Sequence, residues 1–227
     1  MDRRPATEDD LAAVTETIRL AFDDDPIWSV ALRRSDGSTP DLRPYWRLFV
    51  DGAARHGTVF TTQDTSAVSV WLPPGRDELE ADGLGELDRL LDGMLDDASR
   101  AALTTLYERF AASRAPLGPH AYLSLLATHP DHRGRGFGQQ LLAMDLAAWD
   151  AQDVPAYLES TNPANDHRYK RAGFHRIGGF RAVLDDAPVT AMWRDVPAGE
   201  ARPEPVREAR QASASSERAS VAASQDS

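Results

Sequence analysis

A chain of 227 residues with 41% hydrophobic residues is long enough to bury one domain core. Its net charge of −11 argues against a nucleic-acid partner, which needs a basic face; it suits a cationic small substrate, but solubility alone accounts for most of such acidity. There is no Cys, which excludes disulfides, thiolate zinc sites and a cysteine nucleophile.

Thr7-Glu8-Asp9-Asp10 has the form of a helix start, with acids in the first turn, and Leu11, Val14, Ile18, Ala21 and Phe22 repeat at helical spacing. Asp23-Asp24-Asp25-Pro26 closes that helix. A second helix is expected over 41–56, with Tyr45, Leu48 and Phe49 inward, then strands over 57–62 and 66–72 joined by a polar turn. The acidic, leucine-rich stretch 77–114 reads as two helices broken near 93–99. Ala121 to Ala127 is an apolar strand, 139–150 a helix, and 154–160 a strand opened by Pro155. A turn at 162–165 and a short helix follow, the helix ending on Gly173 as a left-handed cap. Strands over 180–184 and 189–193 form a late hairpin. From residue 198 the composition is Ala, Ser, Glu, Arg and Pro without apolar periodicity, so a domain over 1–197 and a disordered tail over 198–227 are expected. No apolar run approaches a membrane span and no basic-apolar signal segment opens the chain, so a soluble, cytoplasmic protein is the expectation.

The most informative stretch is Thr128-His129-Pro130-Asp131-His132-Arg133-Gly134-Arg135-Gly136-Phe137-Gly138, between the strand and the helix. Strand, glycine-rich turn, helix start is an order that aims unpaired N–H groups and the positive helix end at one point, where a pyrophosphate fits. A P-loop needs Lys and then Ser or Thr after its last Gly, and here Gln139-Gln140 follow. A dinucleotide turn needs Gly at its first, third and sixth positions, and Gln139 occupies the sixth. What remains is Arg-x-x-Gly-x-Gly, carried by Arg133, Gly136 and Gly138. A glycine-rich surface turn with two solvated arginines has the same letters, and the downstream context decides between them.

That motif resembles the acyl-CoA pyrophosphate loop of the GNAT (Gcn5-related N-acetyltransferase) superfamily. The likeness continues with an Asn (Asn165 or Asn162) and with Tyr169, four residues before Gly173-Phe174. The run Ala67 to Gly75, the Pro-Asp-His of 130–132, Val154 to Ser160 and Ala21 to Pro26 resemble puromycin N-acetyltransferase and its actinobacterial relatives. The likeness spans roughly residues 4–195 and is more specific for the cofactor half than for the acceptor half. It implies an α/β fold with a mixed, mostly antiparallel sheet flanked by helices. It also implies transfer of an acetyl group from acetyl-CoA to an amine. Leu126, Ala127 and Thr128 would lie along the pantetheine arm. Arg133, Gly134, Arg135, Gly136, Phe137 and Gly138 would hold the pyrophosphate, and Asn165 would complete the cofactor site.

In that scheme Tyr169 is the expected general acid: a phenol of pKa about 10 can hydrogen-bond to and protonate a thiolate whose thiol lies near 8.5. The alternative is an ordinary amphipathic Tyr. Many GNAT enzymes carry a Glu on the strand before the loop, and residues 121–128 contain no acid. Glu159 on the next strand is the candidate base, acting through water, or else a structural carboxylate. His120 is a weaker candidate at a strand entrance. Asp23, Asp24 and Asp25 are weighed as a cation site against a solvated helix end. Trp28, Tyr45, Trp46 and Trp71 are weighed as acceptor-pocket walls against plain core. His129 and His132 read as loop residues, and no metal is expected. The expected acceptor is a small-molecule primary amine, such as an antibiotic or an intermediate of one. Acetylation of a protein N-terminus or lysine, or a non-catalytic acyl-CoA sensor, stay open, as do monomer and homodimer.

Overall fold

The computed structural model describes residues 2–198. Seven strands form one sheet in the order β1-β2-β3-β4-β5-β7-β6. They are β1 (Arg3–Pro5), β2 (Val59–Thr62), β3 (Ala67–Leu72), β4 (Ala121–Thr128), β5 (Ala156–Ser160), β6 (His175–Arg181) and β7 (Pro188–Arg194). Only β4 and β5 run parallel, and the sheet is otherwise antiparallel. The helices are α1 (Leu11–Phe22), α2 (Trp28–Ala31), α3 (Arg43–Ala54), α4 (Ala81–Met94), α5 (Asp97–Arg114), α6 (Phe137–Asp150) and α7 (Asp166–Arg171). The expected mixed sheet flanked by helices is the fold observed. The tail expected over 198–227 lies, but for its first residue, outside the described residues.

Two cores sandwich the sheet. Val14 and Ile18 of α1, Tyr45 and Trp46 of α3 and Leu103 and Leu106 of α5 pack on one face with Val68 and Val70 of β3. Leu141, Leu142 and Leu146 of α6 pack on the other with Trp71 and Leu123. Alternation along a strand normally keeps every second side chain on one face. In β4 the phase changes: Ala121 and Leu123 belong to the α6 side, while Leu125 and Ala127 join the opposite core. The cause is a bulge. Leu123 faces Trp71 and Leu125 faces Val70, so Ser124 is an extra residue with no partner on β3.

A second irregularity opens a cleft. β4 and β5 are in register only at Ala121↔Ala156 and Tyr122↔Tyr157. Beyond these pairs the strands diverge, and the β5 side of β4 from Leu123 onward has no strand partner. The cleft opens where β4 runs into the glycine loop and β5 into the 161–165 turn.

Some elements differ from expectation. β1 was not foreseen: three residues, two of them Arg, carry no strand pattern and form a strand only against β2. The late hairpin begins earlier than 180–184, at His175, because β6 is an exposed edge strand with little apolar alternation. A register shift interrupts β6 between Arg176 and Gly178.

Candidate active site

The loop after β4 is built as its letters require. His129 Nδ1 accepts from the Asp131 N–H at 3.3 Å, and Pro130–His132 form one 3₁₀ turn. Gly134 and Gly136 both take φ +79°, a left-handed conformation costly for a side-chain-bearing residue. The first hydrogen bond of α6 runs from the Gln140 N–H to the Gly136 carbonyl. This leaves the N–H groups of Phe137, Gly138 and Gln139 without a helical partner. A Cβ on Gly138 would lie 2.7 Å from Thr128 Oγ1, so the loop closes tightly on the end of β4. Free N–H donors, a helix N-terminus and a bare glycine surface fit a pyrophosphate. Gly138→Val is expected to weaken acetyl-CoA binding roughly ten- to a hundredfold, the loss of one or two charge-assisted hydrogen bonds. Calorimetric titration checks this, and unchanged affinity would place the phosphates elsewhere.

A cavity of about 910 Å³ runs from this loop between the diverging strands. Leu126, Thr128, Arg133, Gly134, Gly136, Phe137, Gly138 and Asn165 all line it. Ala127 does not: it is buried in the core on the α1 side of the sheet. Arg135 is exposed and lies off the cavity wall. The Arg133 guanidinium is engaged by Asp24 at 3.1 and 3.2 Å and by the Ala21 carbonyl at 3.1 Å. Asp25, the next residue, is buried. It accepts from the N–H groups of Ile27 and Trp28 and from Thr161 Oγ1 at 2.8 Å. The acidic run at the end of α1 thus clasps both loops that border the cleft.

Tyr169 lies on α7, a helix of six residues stopped by Gly173 at φ +95°. Its ring meets Phe174 edge-on at 6.2 Å, and it lines the cavity. Among the described residues nothing hydrogen-bonds its hydroxyl. Burial, aided by the Asp25 charge, pushes that hydroxyl up to about 12. It therefore keeps its proton at neutral pH and is available as a donor.

Glu159 enters from β5. Tyr157 Oη donates to its Oε1 at 2.8 Å, while Oε2 is buried without a partner. Burial pushes the carboxyl up to about 7, against the opposing pull of Arg114. A second acid, Glu78, was not foreseen. It lies in the segment between β3 and α4, lines the same cavity, has an unpartnered Oε1, and is likewise raised by burial to about 7. No periodicity or motif marks it in the sequence, since its place depends on packing against α3.

Trp28, Tyr45 and Trp46 line the cavity, whereas Trp71 lies under α6 with its indole N–H on Asp145 at 2.9 Å. His120 sits between the rings of Tyr157 and Trp193, off the cavity wall, with burial pushing it down. No cluster of His, Cys, Asp or Glu that could hold a metal occurs among the described residues. No helix among them is long and apolar enough to cross a membrane.

Residues 101–176 match the acetyltransferase (GNAT) domain family. A solved histone acetyltransferase and related acetyltransferase from Corynebacterium glutamicum is 24% identical, with a TM-score of 0.58 over 86% of this chain and 95% of that one. Arylalkylamine N-acetyltransferase 2 from Aedes aegypti is 13% identical, TM-score 0.59, over 86% and 98%. An agmatine N-acetyltransferase is 13% identical, TM-score 0.59, over 85% and 97%. At such identities the structural likeness shows the fold. Residues 101–176 thus match a GNAT acetyltransferase domain, a domain whose enzymes use acetyl-CoA as co-substrate, and the solved acetyltransferases share the fold of this chain.

Proposed function

We propose that this enzyme transfers acetyl from acetyl-CoA to the primary amine of a small molecule by direct attack in a ternary complex. The observation that carries this is convergence. One cavity brings together the glycine loop, a protonated Tyr169 hydroxyl and a carboxylate raised to about 7. Bound acetyl-CoA would supply the thioester carbon. The N–H groups of the loop would hold the phosphates, and the unpaired edge of β4 is free to bond the pantetheine amides.

Glu159 takes the proton that an ammonium must lose. A lysine-like amine has pKa about 10.4, so a base near 7 leaves a deficit of about three units, or about 4–5 kcal/mol. Part of that is offset as the cavity disfavours the charged amine. As the new N–C bond forms and the C–S bond breaks, Tyr169 gives its proton to the departing sulfur. With no Cys in the sequence, a cysteine acyl-enzyme is excluded.

A small acceptor is favoured by the apolar and aromatic lining: Leu79, Leu84 and Leu87 of α4 and its approach, with Tyr107, Phe110 and Arg114 of α5, line the cavity. The test is CoA-thiol release from acetyl-CoA with a panel of small primary amines beside peptides with free N-termini and lysines. Amine-dependent release is expected, rising with pH through about 7 as Glu159 loses its proton. Release with peptides alone would reassign the acceptor. Acetyl-CoA binding without release for any acceptor would make the chain a sensor.

A further inference from the structure

Glu78 has no role in the scheme above, yet its position is actively enforced. It follows the Pro73-Pro74-Gly75 turn that leaves β3. α3 presses directly on its backbone: a Cβ on Gly52 would lie 1.9 Å from the Glu78 carbonyl oxygen. Only a residue without a side chain lets the segment sit this deep. The depth is unfavourable for a carboxylate unless something compensates it. Within the described residues Oε1 of Glu78 and Oε2 of Glu159 have no hydrogen-bond partner, although the Ser124 hydroxyl lies near Glu78 and the Tyr122 hydroxyl near Glu159.

The two acids share one neighbourhood. Both line the cavity, the Glu159 charge raises the proton affinity of Glu78, and Arg114 lowers that of both. Arg114 makes no ion pair among the described residues. Its guanidinium lies over the Tyr122 ring, 4.3 Å from the centroid. Two carboxyl groups share one guanidinium, and each keeps a buried oxygen without a hydrogen-bond donor. The complement is one positive charge bearing several N–H bonds. Around it the wall is aromatic: Trp28 and Phe110 stack with centroids 5.7 Å apart and planes 4° from parallel, and Tyr45, Phe49 and Tyr107 complete the surface.

Resting on the acetyl-transfer reading, the geometry points to a paired-carboxylate ammonium site. Glu78 and Glu159 together hold the protonated amine of the acceptor, and the rings hold its body. The acceptor class is therefore a primary amine with a single positive charge on an aromatic or apolar frame. Glu159 goes on to take the proton, while Glu78 remains the counter-ion and is a binding residue. A second, distal cation on the acceptor would have to be buried against rings and lose its water.

The test uses binding to the CoA-loaded protein, where no acetyl transfer occurs. The probes are 2-phenylethylamine and its uncharged isostere 2-phenylethanol, titrated by calorimetry. The wild type is expected to prefer the amine by about tenfold or more, as a charge-assisted bond implies. Glu78→Gln and Glu159→Gln should each bring that preference close to one and leave CoA affinity within about twofold, which shows an intact fold. Full preference retained in Glu78→Gln, no preference in the wild type, or binding of neither probe would overturn the site. A failure here leaves the acetyl-transfer reading standing. An intact preference without CoA release would reject transfer and keep the site.

Discussion

Tyr169→Phe is expected to leave acetyl-CoA affinity unchanged and to lower turnover by about two to four orders of magnitude, the usual range for a positioned proton donor. The substitution is nearly silent for the fold. The ring keeps its edge-on contact with Phe174 and its place against the α6-side core. The hydroxyl it removes bonds nothing among the described residues, so no structural partner is stranded. What changes is the fate of the departing sulfur. A hydroxyl raised to about 12 stays protonated at working pH and can donate a hydrogen bond to the departing thiolate, and Phe offers no substitute. Single-turnover CoA release measured beside calorimetric affinity separates the two effects. Turnover within about threefold of the parent would remove Tyr169 as the acid, since general acid catalysis is worth far more.

Asp145→Ala should cost about 3–5 kcal/mol of stability, which for a chain of this size lowers Tm by about 10 °C. Asp145 is fully buried on α6, on the side of the sheet away from the cavity. Its Oδ1 accepts from Arg3 Nε, and its Oδ2 accepts from Ser69 Oγ at 2.6 Å and Trp71 Nε1 at 2.9 Å. Burial pushes the carboxyl up, and these three donors pull it back toward the charged form. Removing it strands a hydroxyl, an indole N–H and a guanidinium that also covers the Phe60 ring at 3.6 Å. The acid joins β1 and β3 to α6, so its loss should loosen the N-terminal strand first. Urea unfolding measures the cost. A loss under about 1 kcal/mol would mean that water re-pairs the donors.

The local parts of this molecule are legible in the sequence, and the parts set by long-range packing are not. The glycine loop and the start of α6 follow from residue type alone, because left-handed φ values and an unpaired helix end are properties of a few adjacent residues. The break between α4 and α5 is equally local, where Asp96 caps α5 through the Ser99 N–H. Glu159 is legible as a candidate but its state is not, because the Tyr157 bond and the burial come from other elements. Glu78 is illegible: an acid in an irregular segment resembles any solvated loop acid until Gly52, 26 positions earlier in the sequence, is brought against it. Trp71 fails as a pocket wall because aromatic spacing says nothing about which face of a sheet a strand residue takes. The phase change at Ser124 is hidden for the same reason, since a bulge is defined by the partner strand.

The two ends of the sheet carry a further consequence. An edge strand offers an unsatisfied row of N–H and C=O groups on which another strand can template itself. Here both edges are spoiled as templates. β1 is three residues long, with two arginines and a proline that has no N–H to give. β6 is interrupted by its register shift and places His175, Arg176 and Arg181 on the margin. An incoming strand, whether from a foreign polypeptide or from a partly unfolded sister molecule, meets a three-residue strand ending in proline at one margin, and arginines and an interrupted ladder at the other. Growth of the sheet by accretion is thereby blocked at both ends.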